Sequence, residues 1–81
     1  MTKISVLGAG AWGTALAQTY AASGHQVTLW VREEKLAQDM VETNRNTLYL
    51  PDIDLDPHLN ITTDLSEAVQ ADIILNVIPA Q

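Results

Sequence analysis

The stretch that decides the fold is Ile4-Ser5-Val6-Leu7-Gly8-Ala9-Gly10-Ala11-Trp12-Gly13, continued by Thr14-Ala15-Leu16-Ala17. Its apolar start predicts a strand over residues 3–7. Glycines then fall at a G-x-G-x-x-G spacing, and a helix-forming run follows without a gap. In a strand–turn–helix unit each glycine of that spacing has its own task. Gly8 turns the chain sharply out of the strand. Gly10, having no Cβ, lets the backbone come close to a pyrophosphate. Gly13 lets the new helix lie tight against the strand. The helix N-terminus then aims unpaired N–H groups and a partial positive charge at the phosphates. A glycine-rich turn without a ligand is the bland alternative, and the strand before it and the helix after it argue against that.

The rest of the chain repeats the alternation. Residues 11–23 predict the first helix, with Trp12, Leu16 and Tyr20 on one stripe. Trp12 either packs in that stripe or covers the mouth of the site. Gly24 suits a left-handed helix end. Residues 26–30 predict a second strand and 33–43 a second helix, whose buried face would be Leu36, Ala37, Met40 and Val41. Between 44 and 60 the pattern breaks. Pro51, Pro57 and a set of Asx residues mark an irregular loop, unusually long for so small a domain and of the kind that carries function. Residues 61–63 predict a short third strand. Asp64 and Glu67 read as a capping box opening a short helix to residue 70. Residues 72–77 predict a fourth strand, stopped by Pro79 and interrupted only by Asn76 in an apolar run that expects cover on both faces. The order βαβαβαβ with right-handed crossovers predicts a truncated Rossmann-type parallel α/β sheet of strand order 3-2-1-4.

Composition narrows the function classes. A chain of 81 residues holds one small domain, and its 47% hydrophobic content is that of a folded chain rather than a disordered one. No cysteine is present, which removes disulfides and thiolate metal sites. The net charge is −6, and all four basic residues (Lys3, Arg32, Lys35 and Arg45) precede residue 46. An acidic second half speaks against nucleic acid and anionic membranes as partners. No run is long enough to span a bilayer and no secretory signal is present, so a cytoplasmic location is the expectation.

Several motifs together are more specific than the glycines alone. The run Gly8-Ala9-Gly10-Ala11-Trp12-Gly13-Thr14-Ala15-Leu16-Ala17 resembles the N-terminus of NAD(P)-dependent glycerol-3-phosphate dehydrogenases. The resemblance continues through Gly24-His25-Gln26-Val27-Thr28-Leu29-Trp30, Arg32, Asn46 with Tyr49-Leu50-Pro51, Thr63-Asp64-Leu65 with Glu67-Ala68, Ala71-Asp72-Ile73-Ile74 and Val77-Ile78-Pro79. It implies hydride transfer between a nicotinamide cofactor and the dihydroxyacetone phosphate/glycerol 3-phosphate pair. It also implies that Ala11, Trp12 and Arg32 touch the cofactor, alongside Gly8, Gly10 and Gly13. Serine is common in the family where Ala11 and Ala80 stand, so those hydroxyl contacts are missing here. The family's catalytic lysine and helical substrate domain would lie past residue 81. The chain is therefore expected to be a dinucleotide-binding domain, residues 1–81, with no catalytic residue and no metal site of its own. His25 and His58, the only imidazoles, sit in loop contexts that predict surface positions.

The end of the second strand bears on cofactor choice. NAD-selective sites place an acid there to accept from the ribose 2′-OH. This chain instead carries Arg32, followed by Glu33 and Glu34. A guanidinium suits a 2′-phosphate or stacks on adenine, so NADP or NAD is the expected cofactor, with a solvated helix-start charge as the alternative. Two other readings remain: the same segment of a related dehydrogenase, and a free-standing, non-catalytic unit. The uncharged fourth strand, left at a sheet edge, predicts a homodimer.

Overall fold

The computed structural model describes residues 2–78. The expectations placed on Pro79 and Ala80 fall outside them. Four parallel strands and three helices alternate along the chain: β1 (Lys3–Leu7), α1 (Ala11–Ala22), β2 (Gln26–Trp30), α2 (Glu34–Thr43), β3 (Asn60–Thr62), α3 (Leu65–Ala68) and β4 (Ile73–Asn76). The sheet order is β3-β2-β1-β4, as the alternation predicts. Lys3 to Leu7 pair with Gln26 to Trp30, while Ile4 to Leu7 pair with Ile73 to Asn76. The chain builds the sheet outward from β1 in one direction, then crosses back to its other side at β4. With right-handed crossovers, that reversal puts α1 and α2 on one face and α3 on the other. Ile4, Ser5, Val6 and Leu7 of β1 are accordingly all buried, as befits a central strand covered twice.

The core is built from Val6, Val27, Leu29, Val31 and Met40, all fully buried, with Leu55 and Leu59 added from the loop. Its contact with α1 corrects the expected stripe. The face turned to the sheet is Gly13, Thr14, Ala17 and Ala21, whereas Trp12 is 68% exposed and Tyr20 only half-buried. Close approach of helix and sheet admits only small side chains, so small size rather than hydrophobic bulk marks the buried face. Val41 is corrected likewise. It is 64% exposed because the α2 face of Leu36, Ala37 and Met40 already fills the contact, and Val41 lies a further ~100° round the helix.

The short elements are shorter or shifted by a residue or two from expectation. β3 is Asn60–Thr62, β4 is Ile73–Asn76, and α3 stops at Ala68. Asn76 has a reason to end its strand: its Oδ1 accepts from the Ile78 N–H at 3.1 Å, which turns the chain. Half of the expected capping box forms. Asp64 Oδ1 accepts from the Ser66 N–H at 2.9 Å and from the Ser66 hydroxyl at 2.6 Å. Glu67 does not reach back to residue 64; its carboxylate accepts from Asn60 Nδ2 and Thr62 Oγ1 instead. Those bonds staple α3 onto β3 and leave the Asp64 N–H to donate to Thr62 Oγ1.

Two measurements follow from these contacts. A Cβ at Gly13 would overlap the Gly8 carbonyl oxygen and crowd the Val77 side chain, whereas one at Gly10 meets nothing within 4 Å. Gly13→Ala is therefore expected to destabilise the fold by about 3 kcal/mol or more, the upper end of overpacking costs. Gly10→Ala, which adds no clash and loses only the N-cap preference of glycine, should cost about 1 kcal/mol or less in urea titration. The Ser66 hydroxyl, aided by backbone N–H groups, holds the Asp64 carboxyl below its usual value, against an opposing effect of desolvation. A folded-state pKa below the unfolded one adds stability above the unfolded pKa, lost as pH falls through the folded value. Carboxyl NMR titration should show Asp64 titrating below 3.8, and Ser66→Ala should move it back up.

Candidate functional site

The carboxyl ends of β1, β2 and β4 meet at one side of the sheet, where the strand order reverses. Open α/β sheets bind ligands in the crevice at such a reversal. After β1 the chain turns at Gly8, whose φ of +121° is a backbone conformation few L-residues adopt. A Cβ there would also press on Val77 and Ile78 backbone atoms at 3.2 Å. Gly8 and Gly13 thus have reasons inside the fold, in geometry and in packing.

Gly10 has neither. Its φ of −69° and ψ of −176° suit any residue, and the space where its Cβ would stand is open. It is the N-cap of α1 but has no side chain to cap with, and α1 carries no acid in its first turn. The first-turn N–H groups therefore lack an intrahelical acceptor and a cap, and they carry the positive end of the helix dipole.

Beside this turn lies a hollow of about 260 Å³, lined by Gly8, Ala9 and Gly10, by Trp30, Val31, Arg32 and Glu33 after β2, by Leu36, and by Tyr49 and Ile78. Of the expected site residues the structure brings Gly8, Gly10 and Arg32 together here. Ala11 and Trp12 sit on the exposed first turn of α1, outside the lining of the hollow, and Gly13 is buried against the Gly8 carbonyl. Arg32 is exposed and, among the described residues, forms no ion pair, so its charge is free to meet a ligand, with Glu33 alongside to temper it. Trp30 does a structural task as well: its Nε1–H donates to the Thr63 carbonyl at 3.0 Å and fixes the end of β2. His25 and His58 are exposed and outside the lining; His25 packs edge-on against Tyr20, and His58 pairs with Asp56.

The loop expected to be irregular is tied down by a residue whose role here the sequence did not signal. Asn46 is fully buried. Its Nδ2 donates to the Ala9 carbonyl at 2.7 Å and to Thr14 Oγ1 at 2.8 Å, and its Oδ1 accepts from the Tyr49 N–H at 3.1 Å. One asparagine among four in the chain has no periodicity to mark it; only its neighbourhood of Tyr49-Leu50-Pro51 hinted at a fixed turn.

A four-stranded parallel sheet with this glycine turn at its reversal point defines a Rossmann-type α/β fold. Residues 3–81 match the family described as the N-terminus of NAD-dependent glycerol-3-phosphate dehydrogenase, and the chain belongs to that family. It is 52% identical over 79 residues to the glycerol-3-phosphate dehydrogenase [NAD(P)+] of Parvibaculum lavamentivorans, covering 98% of this chain and 24% of that relative. The protein of the same name from Rhodopseudomonas palustris is 52% identical over 81 residues, again 24% of its length. The crystal structure of glycerol-3-phosphate dehydrogenase from Coxiella burnetii superposes with a TM-score of 0.89 at 37% identity, over 96% of this chain and 24% of that one. The chain thus spans about a quarter of the length of the curated relatives it matches.

Proposed function

We propose that this chain binds NAD or NADP at the glycine turn and serves as the cofactor-binding part of a glycerol-3-phosphate dehydrogenase. The pyrophosphate would lie over Gly8 to Gly13, against the uncapped N–H groups of Ala11, Trp12 and Gly13, and the adenosine would extend toward Arg32. The observation that carries this reading is Gly10. Its backbone angles and its surroundings admit any side chain, so the glycine answers to something that approaches from outside the fold. The family match supplies the nature of that visitor. Trp12, exposed at the helix start, would cover the mouth of the site rather than fill the core.

Hydride transfer between dihydroxyacetone phosphate and glycerol 3-phosphate would belong to the longer protein, since the relatives are about four times this length. Positioning and electrostatic stabilisation of the substrate would then come from groups outside these 81 residues, and the chain alone is expected to be inactive. A cytoplasmic location fits the acidic, cysteine-free composition. The expected homodimer rests on β4, which has Ile73 45% and Ile74 43% exposed and one open edge.

Gly10→Val tests the site. The variant should fold as wild type and lose NAD and NADP binding in calorimetry, because the branched side chain would stand in the pyrophosphate path. Unchanged binding would refute the assignment. Arg32→Glu tests cofactor choice. If the guanidinium meets a 2′-phosphate, NADPH affinity should fall by about 1.5–3 kcal/mol, roughly ten- to a hundredfold, with NADH far less affected. Equal losses would place Arg32 on the adenine.

A further inference from the structure

Asn46 does more than hold its own loop. That loop has other anchors: Leu55 and Leu59 are in the core, the Leu55 N–H donates to the Asn44 carbonyl at 2.7 Å, Thr47 Oγ1 donates to Asp39, and Arg45 Nε pairs with Asp54 at 2.7 Å. None of these sets the loop against the glycine turn. Asn46 does, because one amide hydrogen goes to the carbonyl of Ala9, the residue between Gly8 and Gly10, and the other to Thr14 on the buried face of α1. The Thr14 hydroxyl, accepting from Asn46, donates in turn to the same Ala9 carbonyl at 3.3 Å. Asn46 Oδ1 and its main-chain oxygen then receive the N–H groups of Tyr49 and Leu50. One buried side chain therefore locks three pieces of the hollow's surroundings: the glycine turn, the first turn of α1, and the segment that carries Tyr49. Tyr49, 46% exposed, lines the same hollow as Gly8, Gly10, Leu36 and Arg32.

We propose that Asn46 is a positioning residue of the dinucleotide site, and that Tyr49, set through it, is a wall of the adenosine subsite. This inference rests on the dinucleotide reading above. An aromatic ring and an aliphatic side chain along one lining suit a flat base, which has apolar faces and stacks on tyrosine. Rigid attachment of that wall to the peptide between the glycines keeps the spacing between the base and the pyrophosphate constant, so that neither has to be ordered when the cofactor arrives.

Asn46→Asp keeps the shape and removes the donors. At pH 8 it would set a carboxylate against the Ala9 carbonyl, and NAD affinity by calorimetry should fall at least tenfold. As the pH is lowered toward 5.5 the buried carboxyl protonates, regains one donor, and affinity should recover, whereas wild type shows no such recovery. Tyr49→Ala, at an exposed position, should keep the wild-type melting temperature and also bind at least tenfold more weakly, and Tyr49→Phe should bind within twofold of wild type. If Tyr49→Ala binds NAD within twofold of wild type while Gly10→Val does not bind, the dinucleotide site stands and this proposal is overturned. If Gly10→Val also binds normally, the dinucleotide reading fails and takes this proposal with it. Should Asn46→Asp not fold, the two Tyr49 variants decide the matter alone.

Discussion

Everything at the functional end of this molecule depends on how closely α1 lies on the end of β1. Gly13 sits directly over the Gly8 carbonyl, with no room for even a methyl group between them. That approach forces the rest of the contact face to be small, which is why Thr14, Ala17 and Ala21 are buried and Trp12 is turned outward. It also brings the first turn of α1 to the carboxyl ends of the strands. There its unpaired N–H groups join Gly10 in a surface with partial positive charge and no side chains in the way. A larger helix face would move this turn away from the sheet.

Polar groups secure what apolar packing cannot orient. The network of Asn46, Thr14 and Ala9 is buried, where an unmade hydrogen bond costs about 1–3 kcal/mol. Among the described residues no buried side-chain nitrogen or oxygen lacks a partner. A network satisfied in that way accepts one arrangement and rejects its neighbours, so it sets direction as well as stability. Arg32, the only cation lining the hollow among the described residues, is left outside this network and in solvent. The division separates a rigid, hydrogen-bonded turn from an adaptable charge beside it.

The other side of the sheet is less finished. α3 is a single turn, stapled to β3 through Glu67, and it leaves Leu65 and Val69 exposed. Among the described residues β4 pairs only with β1, and both faces of its apolar run are partly open. An edge of this kind is a pairing template, and proteins seldom leave one bare. The chain spans about a quarter of the length of the relatives it matches.

The amino-acid sequence by itself determined the element order, the parallel sheet and its 3-2-1-4 arrangement. Those follow from periodicity, glycine spacing and the hand of crossovers, all of which are local or chiral properties of the chain. It also marked Gly8, Gly10, Gly13 and Arg32 as the residues to watch. Only the tertiary structure decided which glycine serves what. Gly13 is explained by packing and Gly8 by backbone geometry, while the space beside Gly10 is open. The buried face of α1 is not legible from hydrophobic bulk, because close helix–sheet contact excludes large residues and buries small ones. The capping box was half wrong because Glu67 found Asn60 and Thr62, partners it meets only once β3 has paired. Asn46 remained without a reason until folding brought it against Ala9, 37 residues away. Periodicity reports which side of an element faces inward; a hydrogen bond across that distance depends on where two elements come to rest, and that is set by the packing of the whole chain.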